Sequence, residues 1–174
     1  MDYFTEQLIG RKSDKKDAAV RFGITAGFTL LAVVFTLAAF MFGLPLLALT
    51  VGTFWLMYRL YGNTFVEYEY TLTNRDLDID RIRARRKRTR LLTLDLSETL
   101  SWGPAKSLPA DVQPDVTVFA SDNSGEGVWF VYSSSPKLGK VLLYLTPNPR
   151  IIFGINNGVP RALHKADITE APEE

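Results

Sequence analysis

The chain has 174 residues, of which 47% are hydrophobic, and its formal net charge is only +1. It contains no cysteine, which excludes disulfides, thiolate metal sites and a cysteine nucleophile. A net charge this small argues against a protein that coats nucleic acid over its whole surface.

The first notable feature is an uncharged apolar segment, because residues 22–58 contain no Asp, Glu, Lys, Arg or His. One continuous helix of this length would exceed a bilayer hydrocarbon core of about 30 Å. Gly43 and Pro45 lie near its middle and favour the end of one helix and the start of another. The segment therefore predicts a transmembrane helical hairpin within residues 22–61, with helices at about 22–42 and 44–60.

Two other interpretations of this segment are disfavoured. A buried hairpin of a soluble protein would have to cover two helices that are apolar on all sides, which a domain of this size hardly allows. A cleaved signal peptide has an apolar region of only about 7–15 residues near the N terminus. Trp55, Tyr58 and Tyr61 are placed where the second helix would leave the bilayer, as in an interfacial aromatic belt.

The flanking charges predict the orientation of the hairpin. Basic residues precede the first helix and follow the second, whereas the connecting turn has no charge. By the positive-inside rule, both termini are expected in the cytoplasm, with residues 1–21 as a cytoplasmic N-terminal segment. We therefore predict a plasma-membrane protein with two spans. The basic flanks are Arg11, Lys12, Lys15, Lys16 and Arg21 on one side and Arg59, Arg75 and an arginine-rich run on the other.

Small residues recur at four-residue spacing in both predicted helices, a pattern that lets helices approach closely. Packing within the hairpin and association of two copies into a homo-oligomer both explain this pattern. The predicted packing residues are Gly23, Gly27, Ala39, Gly43, Ala48 and Gly52.

After Tyr61, apolar and polar residues alternate with the two-residue period of half-buried strands. Residues 62–168 are therefore predicted to form a cytoplasmic β-domain with seven short strands and a short helix that begins at Pro160. Residues 169–174 are predicted to be an acidic disordered tail. The strands are expected at 66–73, 77–84, 92–96, 116–120, 128–132, 141–145 and 151–155.

A family resemblance becomes visible in the first strands of this domain. Tyr70-Thr71-Leu72-Thr73, followed by Leu77-Asp78-Ile79, a basic stretch and a hydrophobic strand, resembles bacterial membrane-anchored pleckstrin-homology-like (PH-like) domains. More narrowly, residues 66–93 with a two-helix N terminus are similar to an uncharacterised family of small Firmicute membrane proteins. The resemblance implies a seven-stranded PH-like barrel or sandwich that serves lipid or protein contacts, and it brings no known activity.

One dense basic run calls for an anionic partner, and it contains no acidic residue. Each cation near an acidic leaflet contributes about 1 kcal/mol, so the run predicts contact with anionic lipid headgroups. A solvated loop that only fixes topology is the competing interpretation. Nucleic acid is disfavoured because no aromatic residue lies between Thr71 and Thr99 to stack on bases. The run comprises Arg81, Arg83, Arg85, Arg86, Lys87, Arg88 and Arg90.

Three further groups have ordinary structural explanations that we favour. Asp76, Asp78 and Asp80 alternate along one strand, and ion pairs with arginines across the hairpin are favoured over a Ca²⁺ or Mg²⁺ site. His164 lies three residues before Asp167, but no nucleophile motif accompanies it. The aromatic residues Trp102, Trp129, Phe130 and Tyr132 are expected in the core or at the rim of an interface rather than around a ligand.

These observations favour a noncatalytic, membrane-anchored binding or scaffolding module that contacts anionic lipid through its basic run. The alternative is an accessory subunit of a larger membrane protein complex, contacted through the β-domain and the transmembrane helices. No enzyme signature, cofactor motif or metal-ligand motif occurs in the sequence.

Overall fold

The computed structural model describes residues 3–168, and these divide into two compact units. The first, here called the β unit, comprises residues 3–12, 67–82 and 87–168. The second, here called the helical unit, comprises residues 13–66 and 83–86. The predicted disordered tail, residues 169–174, lies outside the described residues.

The helical unit contains two helices that pack against each other, α1 (Lys15–Phe42) and α2 (Pro45–Gly62). A capping box formed by Asp14 and Asp17 starts α1, because each side chain accepts a hydrogen bond from a backbone N–H that lacks a partner within the helix. Gly43, with φ of 104°, ends α1, and its N–H donates to Ala39 O at 2.9 Å. The left-handed region is open to glycine at little cost, so the chain reverses here.

The seam between α1 and α2 is narrow. Ala32 and Thr53 are its buried residues, and half-buried side chains continue it at helical spacing on both helices. The remaining apolar side chains face outward: Phe40 is 86% exposed and Phe42 is 78% exposed. The outer surface of the helical pair is therefore largely apolar, which is unusual for helices of a soluble protein.

Of the helices in residues 3–168, only α1 is long and apolar enough to qualify as a membrane span by length and composition alone. Only 6% of its most apolar window is buried, which is unlike the core helix of a soluble protein. Helix α2 is shorter, at 18 residues, and its sequence includes Pro45, Arg59 and two tyrosines that lower its apolar character. The structure therefore contains two packed helices, and the crossing of a bilayer by both stays a prediction.

The β unit contains two four-stranded sheets, rather than the seven strands predicted. Sheet A has the strand order β1-β2-β3-β4, and sheet B has the order β5-β7-β8-β6, in which β6 and β8 run parallel. The strand bounds are β1 Phe4–Gly10, β2 Val66–Thr73, β3 Asp76–Arg83, β4 Lys87–Asp95, β5 Thr99–Pro104, β6 Val116–Phe119, β7 Trp129–Ser135 and β8 Gly139–Leu145.

Strand β1 belongs to sheet A, although residues 1–21 were expected to be only a flanking segment. It pairs antiparallel with β2, so that Phe4 lies opposite Thr73 and Gly10 lies opposite Glu67. Strand β1 therefore completes the edge of a sheet whose other strands follow the helices in the chain. Along the chain, both helices lie between β1 and β2, which are neighbours in this sheet.

The C-terminal helix is present, but it lies earlier than predicted. Helix α3 spans Pro149–Gly158, where a strand was expected at 151–155, and only a short 3-10 turn, Arg161–Leu163, follows Pro160. Asn148 caps α3 by accepting a hydrogen bond from Ile151 N at 2.8 Å, and Pro149 occupies the first turn. Because Ile151 and Ile155 share one face and are buried, core packing overrides their β propensity.

Side chains from both sheets and α3 form the core of the β unit. Fully buried members include Leu72, Leu77, Phe130, Leu143 and Ile151. Trp102 is also buried and stacks on Trp129 with the ring centroids 5.4 Å apart. Core packing is thus confirmed for Trp102, Phe130 and Tyr132, whereas Trp129 is half-buried.

A polar network ties β2 and the segment after β1 to the segment after β6. The Tyr70 hydroxyl donates to Ala120 O and accepts from Thr146 N at 3.2 Å, and its burial raises the pKa of Tyr70. Nearby, the Asp122 carboxylate forms a 3.2 Å salt bridge with Lys12 Nζ, while Lys12 N donates to Asp122 O at 2.7 Å. Lys12 is thus held at two points just before α1 begins.

The Asp122 carboxylate predicts a specific acid sensitivity. Burial raises the pKa of Asp122, but hydrogen bonds from Ser124, Lys12 and Thr146 lower it by more than burial raises it. The resulting pKa lies below the ordinary value of 3.8. A carboxyl with a depressed folded-state pKa stabilises the fold above its unfolded pKa, and this stability is lost as the pH falls through the folded pKa.

We therefore expect Asp122→Asn to lower the melting temperature near neutral pH and to flatten its decline below about pH 4. Thermal unfolding of the detergent-solubilised chain between about pH 6 and pH 3 measures both effects. The exposed loop carboxylate Asp111 supplies a matched control, since Asp111→Asn should leave the curve unchanged. Parallel pH curves for the wild type and Asp122→Asn would contradict the assignment.

Candidate functional site

The basic run forms the tip of the hairpin that joins β3 to β4. Arg86 N donates to Arg83 O at 3.0 Å, which closes a four-residue turn. Ala84 and Arg85, its two central residues, have φ of 52° and 54°. Positive φ at both central positions defines a type I′ turn, which favours Asn-Gly and is strained for residues with a Cβ. The tip is therefore held in a costly conformation.

Contacts within the helical unit hold this tip against the end of α2. Ala84 N donates to Phe65 O at 3.0 Å. A Cβ added to Gly62 would lie 3.9 Å from the Ala84 Cβ, so the two backbones are close. The Arg86 guanidinium lies over the Tyr58 ring, 5.7 Å from its centroid. The basic turn is thus fixed beside the last turn of α2.

Cation–aromatic pairs continue around the same end of the helical unit. Arg59 lies over Trp55 at 5.5 Å, and Arg21 of α1 lies over Phe65 at 4.2 Å. Arg21 also donates through Nε to Thr64 Oγ1 at 2.9 Å, which links α1 to the segment after α2. Amphipathic aromatics and long cations together are the composition found at the level of lipid headgroups.

The other end of the basic run is neutralised inside the β unit. Arg88 forms a salt bridge with Glu69, and Arg90 pairs with Asp78 and Asp80, each with a closest contact of 2.5 Å. Hydrogen bonding to Asp80 raises the pKa of Arg90. This confirms the predicted pairing with an arginine across the hairpin for Asp78 and Asp80, two of the three aspartates.

The structure therefore divides the seven predicted anion-binding cations. Arg83, Arg85, Arg86 and Lys87 lie in or beside the tip, whereas Arg88 and Arg90 have carboxylate partners. Arg81 is half-buried, and its Nε has no hydrogen-bond partner among the described residues. Within residues 3–168, Arg83, Arg86 and Lys87 form no salt bridge.

The predicted small-residue positions lie mostly outside the seam between α1 and α2. Gly23, Gly27, Ala48 and Gly52 are exposed, and a Cβ added to any of the three glycines meets nothing within 4 Å. Of the other two, Ala39 is half-buried and Gly43 forms the turn. Close packing within the hairpin does not require these glycines, and packing between chains stays a prediction.

His164 lies outside any α-helix, so its spacing of three residues from Asp167 does not place the two side chains on one helical face. Its Nε2 is 3.1 Å from Val159 O, and this contact gives the imidazole a structural partner. Among residues 3–168, no group of three or more His, Asp or Glu side chains is arranged to hold a metal ion.

Comparison with known proteins adds a family. The sequence matches the family described as Bacterial PH-like domain (DUF6106) over residues 1–165. The chain belongs to this family. The match includes β1 and both helices, so the inserted helical pair lies within the matched region of the PH-like family. No curated protein and no solved structure matches the chain.

The sequence did not predict two features of this PH-like protein, strand β1 and the contact of the basic turn with the segment after α2. Strand β1 carries little sequence signal, because its apolar and polar residues do not alternate and Phe4 and Leu8 lie on the exposed face. The docking of Ala84 on Phe65 carries no such signal, because it depends on a backbone contact between segments far apart in sequence.

The strained turn makes a testable prediction. Arg85→Gly removes the Cβ that disfavours a positive φ, whereas Arg86→Gly removes the same charge without relieving that strain and also loses the contact with Tyr58. We expect Arg85→Gly to be more stable than Arg86→Gly by about 1 kcal/mol. Thermal unfolding in mild detergent, with amide exchange at Ala84, measures the difference. The reverse order would contradict the turn assignment.

Proposed function

We propose that this PH-like protein is a noncatalytic binding module anchored in the bacterial plasma membrane by α1 and α2. Its basic turn, residues 83–87, contacts the anionic headgroups of the inner leaflet. The uncharged helix surfaces and the cations gathered at one end of the helical unit support this proposal. The Firmicute source suggested by the resemblance stays a prediction.

The pairing of β1 with β2 is the observation that carries the anchoring proposal. Gly10 and Glu67 are partners in one sheet, so the chain leaves the β unit before α1 and returns to it after α2. A sheet cannot have neighbouring strands on opposite sides of a bilayer, because the core excludes open strands and irregular connections. The helical pair therefore crosses an even number of times, and if α1 spans, α2 must return.

The lengths of both helices are compatible with two crossings. At about 1.5 Å per residue, 28 residues of α1 exceed a hydrocarbon core of about 30 Å, and 18 residues of α2 lie within the usual range for a span. Arg59, near the end of α2, can extend its charge towards the headgroups while its stem stays in apolar surroundings. The positive flanks favour a cytoplasmic location for both termini and the β unit.

The site of the basic turn determines what it can contact. Phe65, three residues beyond the end of α2, accepts the hydrogen bond from Ala84, and Tyr58 within α2 receives Arg86. If α2 leaves the bilayer near Tyr58, the turn lies at headgroup level. Cations there gain about 1 kcal/mol each from an anionic leaflet. Such a contact would also compensate for the strain in the turn.

An accessory role in a larger membrane complex is the second candidate. The observation that favours it is the outward position of Gly23, Gly27 and Gly52, which leaves small-residue faces open to another helix. Purification from membranes in mild detergent separates the candidates. A stoichiometric partner at a constant ratio supports the accessory role, and a lone chain supports the independent module.

The two-span topology can be mapped with single cysteines, because the chain has none of its own. In intact cells, a membrane-impermeant maleimide should label Leu44→Cys, in the turn between the helices, but not Lys137→Cys in the β unit. Permeabilisation should expose Lys137→Cys. Val33→Cys, on the outer face of α1, should stay unreactive in both cases because water is excluded from the bilayer core. Labelling of positions 44 and 137 from the same side would rule out two spans.

Lipid contact predicts protection of the basic turn that depends on lipid charge. For the full chain in nanodiscs, we expect amide exchange in residues 83–87 to be slower with anionic than with zwitterionic lipid. The triple change Arg85→Glu, Arg86→Glu and Lys87→Glu should abolish the difference, since reversed charges are repelled by the leaflet. Hydrogen exchange detected by mass spectrometry measures it.

The matched control for this experiment reverses three exposed lysines elsewhere in the β unit, Lys106, Lys137 and Lys140. It changes the net charge equally and should retain the lipid-dependent protection. Equal amide exchange of residues 83–87 in both lipids would argue against headgroup contact by the turn. So would loss of the lipid-dependent protection in the lysine control.

A further inference from the structure

A cleft in the β unit collects basic side chains from separate parts of the chain. Its volume is about 460 Å³, and Arg75, Arg161 and His164 are among its lining residues. Arg75 belongs to the two-residue turn between β2 and β3, whereas Arg161 and His164 follow α3. Among the described residues, no Asp or Glu lines the cleft. Its lining is therefore positively charged.

Hydrogen bonds hold the walls of this cleft in place. Leu96 N donates to Arg75 O at 2.8 Å, which fixes the β2–β3 turn against the segment after β4. On the other wall, Trp102 Nε1 donates to Leu163 O at 2.9 Å and anchors the segment after α3 to the core. The contact of His164 Nε2 with Val159 O closes this segment on itself. The cleft is thus preformed, which lowers the entropic cost of binding.

The cations in the cleft lack full charge compensation. Within residues 3–168, neither Arg75 nor Arg161 forms a salt bridge. The charge of Arg75 acts on the carboxylate of Asp95, which accepts hydrogen bonds from Ser97 N at 2.8 Å and Ser97 Oγ at 2.6 Å. These hydrogen bonds, together with the charge of Arg75, lower the pKa of Asp95. The Asp95 carboxylate is satisfied locally, and the guanidinium groups keep their donors available.

We propose that this cleft is a binding site for a phosphate group, separate from the membrane contact of the basic turn. Guanidinium groups present paired N–H donors that match phosphate oxygens. His164 Nε2 donates to Val159 O, so Nδ1 of the neutral imidazole is an acceptor that can take a hydrogen bond from a phosphate hydroxyl. The cleft volume falls within the range of about 300–1,000 Å³ typical of small-molecule sites. Because the C-terminal end of α3 adds partial negative charge, binding depends on Arg75 and Arg161.

The test uses His164 as its reporter, since it is the single histidine of the chain. Untagged full-length protein with isotope-labelled histidine is placed in zwitterionic nanodiscs and titrated with inorganic phosphate. Sodium chloride at matched ionic strength is the reference. We expect saturable shifts of the His164 imidazole resonances in the millimolar range with phosphate only, because exposed guanidinium groups bind phosphate weakly.

Variants assign the binding to the cleft. Arg75→Gln and Arg161→Gln should each weaken the apparent Kd about tenfold, a loss expected for one charge-assisted contact. Lys137→Gln, in an exposed turn of the same unit, should leave the Kd unchanged. The triple reversal in the basic turn should also leave it unchanged, which separates this site from the proposed membrane contact. Amide spectra verify that each variant is folded.

A further arm identifies the source of the phosphate group. The same His164 shifts in nanodiscs that contain phosphatidic acid, without free phosphate, would indicate a lipid headgroup as the ligand. Shifts with free phosphate alone would indicate a soluble phosphorylated molecule. Shifts that fail to saturate, equal those with chloride, or persist unchanged in both arginine variants would overturn the proposal.

Discussion

The architecture depends on the antiparallel pairing of β1 with β2. Through this pairing, residues before and after the helices belong to one sheet, and Gly10 lies opposite Glu67. The hydrogen bonds of the ladder fix both ends of the helical insertion, and the salt bridge of Lys12 with Asp122 reinforces the N-terminal end. Because both flanking strands belong to one sheet, any membrane crossings by the helices must occur in pairs.

The two units differ in whether their apolar side chains are buried or exposed. In the β unit, apolar side chains such as Leu77 and Leu143 are completely buried, and polar groups such as the Tyr70 hydroxyl are hydrogen-bonded. In the helical unit, the internal seam is small and large apolar side chains face outward. Water stabilises the first arrangement through the hydrophobic effect, whereas the second exposes a largely apolar surface, which is the basis of the anchoring proposal.

The cations of the basic run differ in whether they are paired with carboxylates. Arg88 and Arg90 are paired with carboxylates in sheet A, whereas Arg83, Arg86 and Lys87, in or beside the strained turn, form no salt bridge within residues 3–168. Strain is retained in a fold where surrounding contacts maintain it, and here the hydrogen bond from Ala84 to Phe65 does so. The turn therefore combines rigidity, charge and a location beside the end of α2, which is why the proposed function centres on it.

The sequence by itself determined the features that depend on local patterns. The absence of charge in residues 22–58, with Gly43 and Pro45 at its centre, defined two helices, and alternation defined strands such as β2 and β8. Only the tertiary structure decided which segments meet. It recruited β1 to sheet A, made Ile151–Ile155 helical against the core, divided the basic run and assembled the Arg75 cleft. Each of these outcomes depends on contacts between residues distant in sequence, and local periodicity carries no information about such contacts.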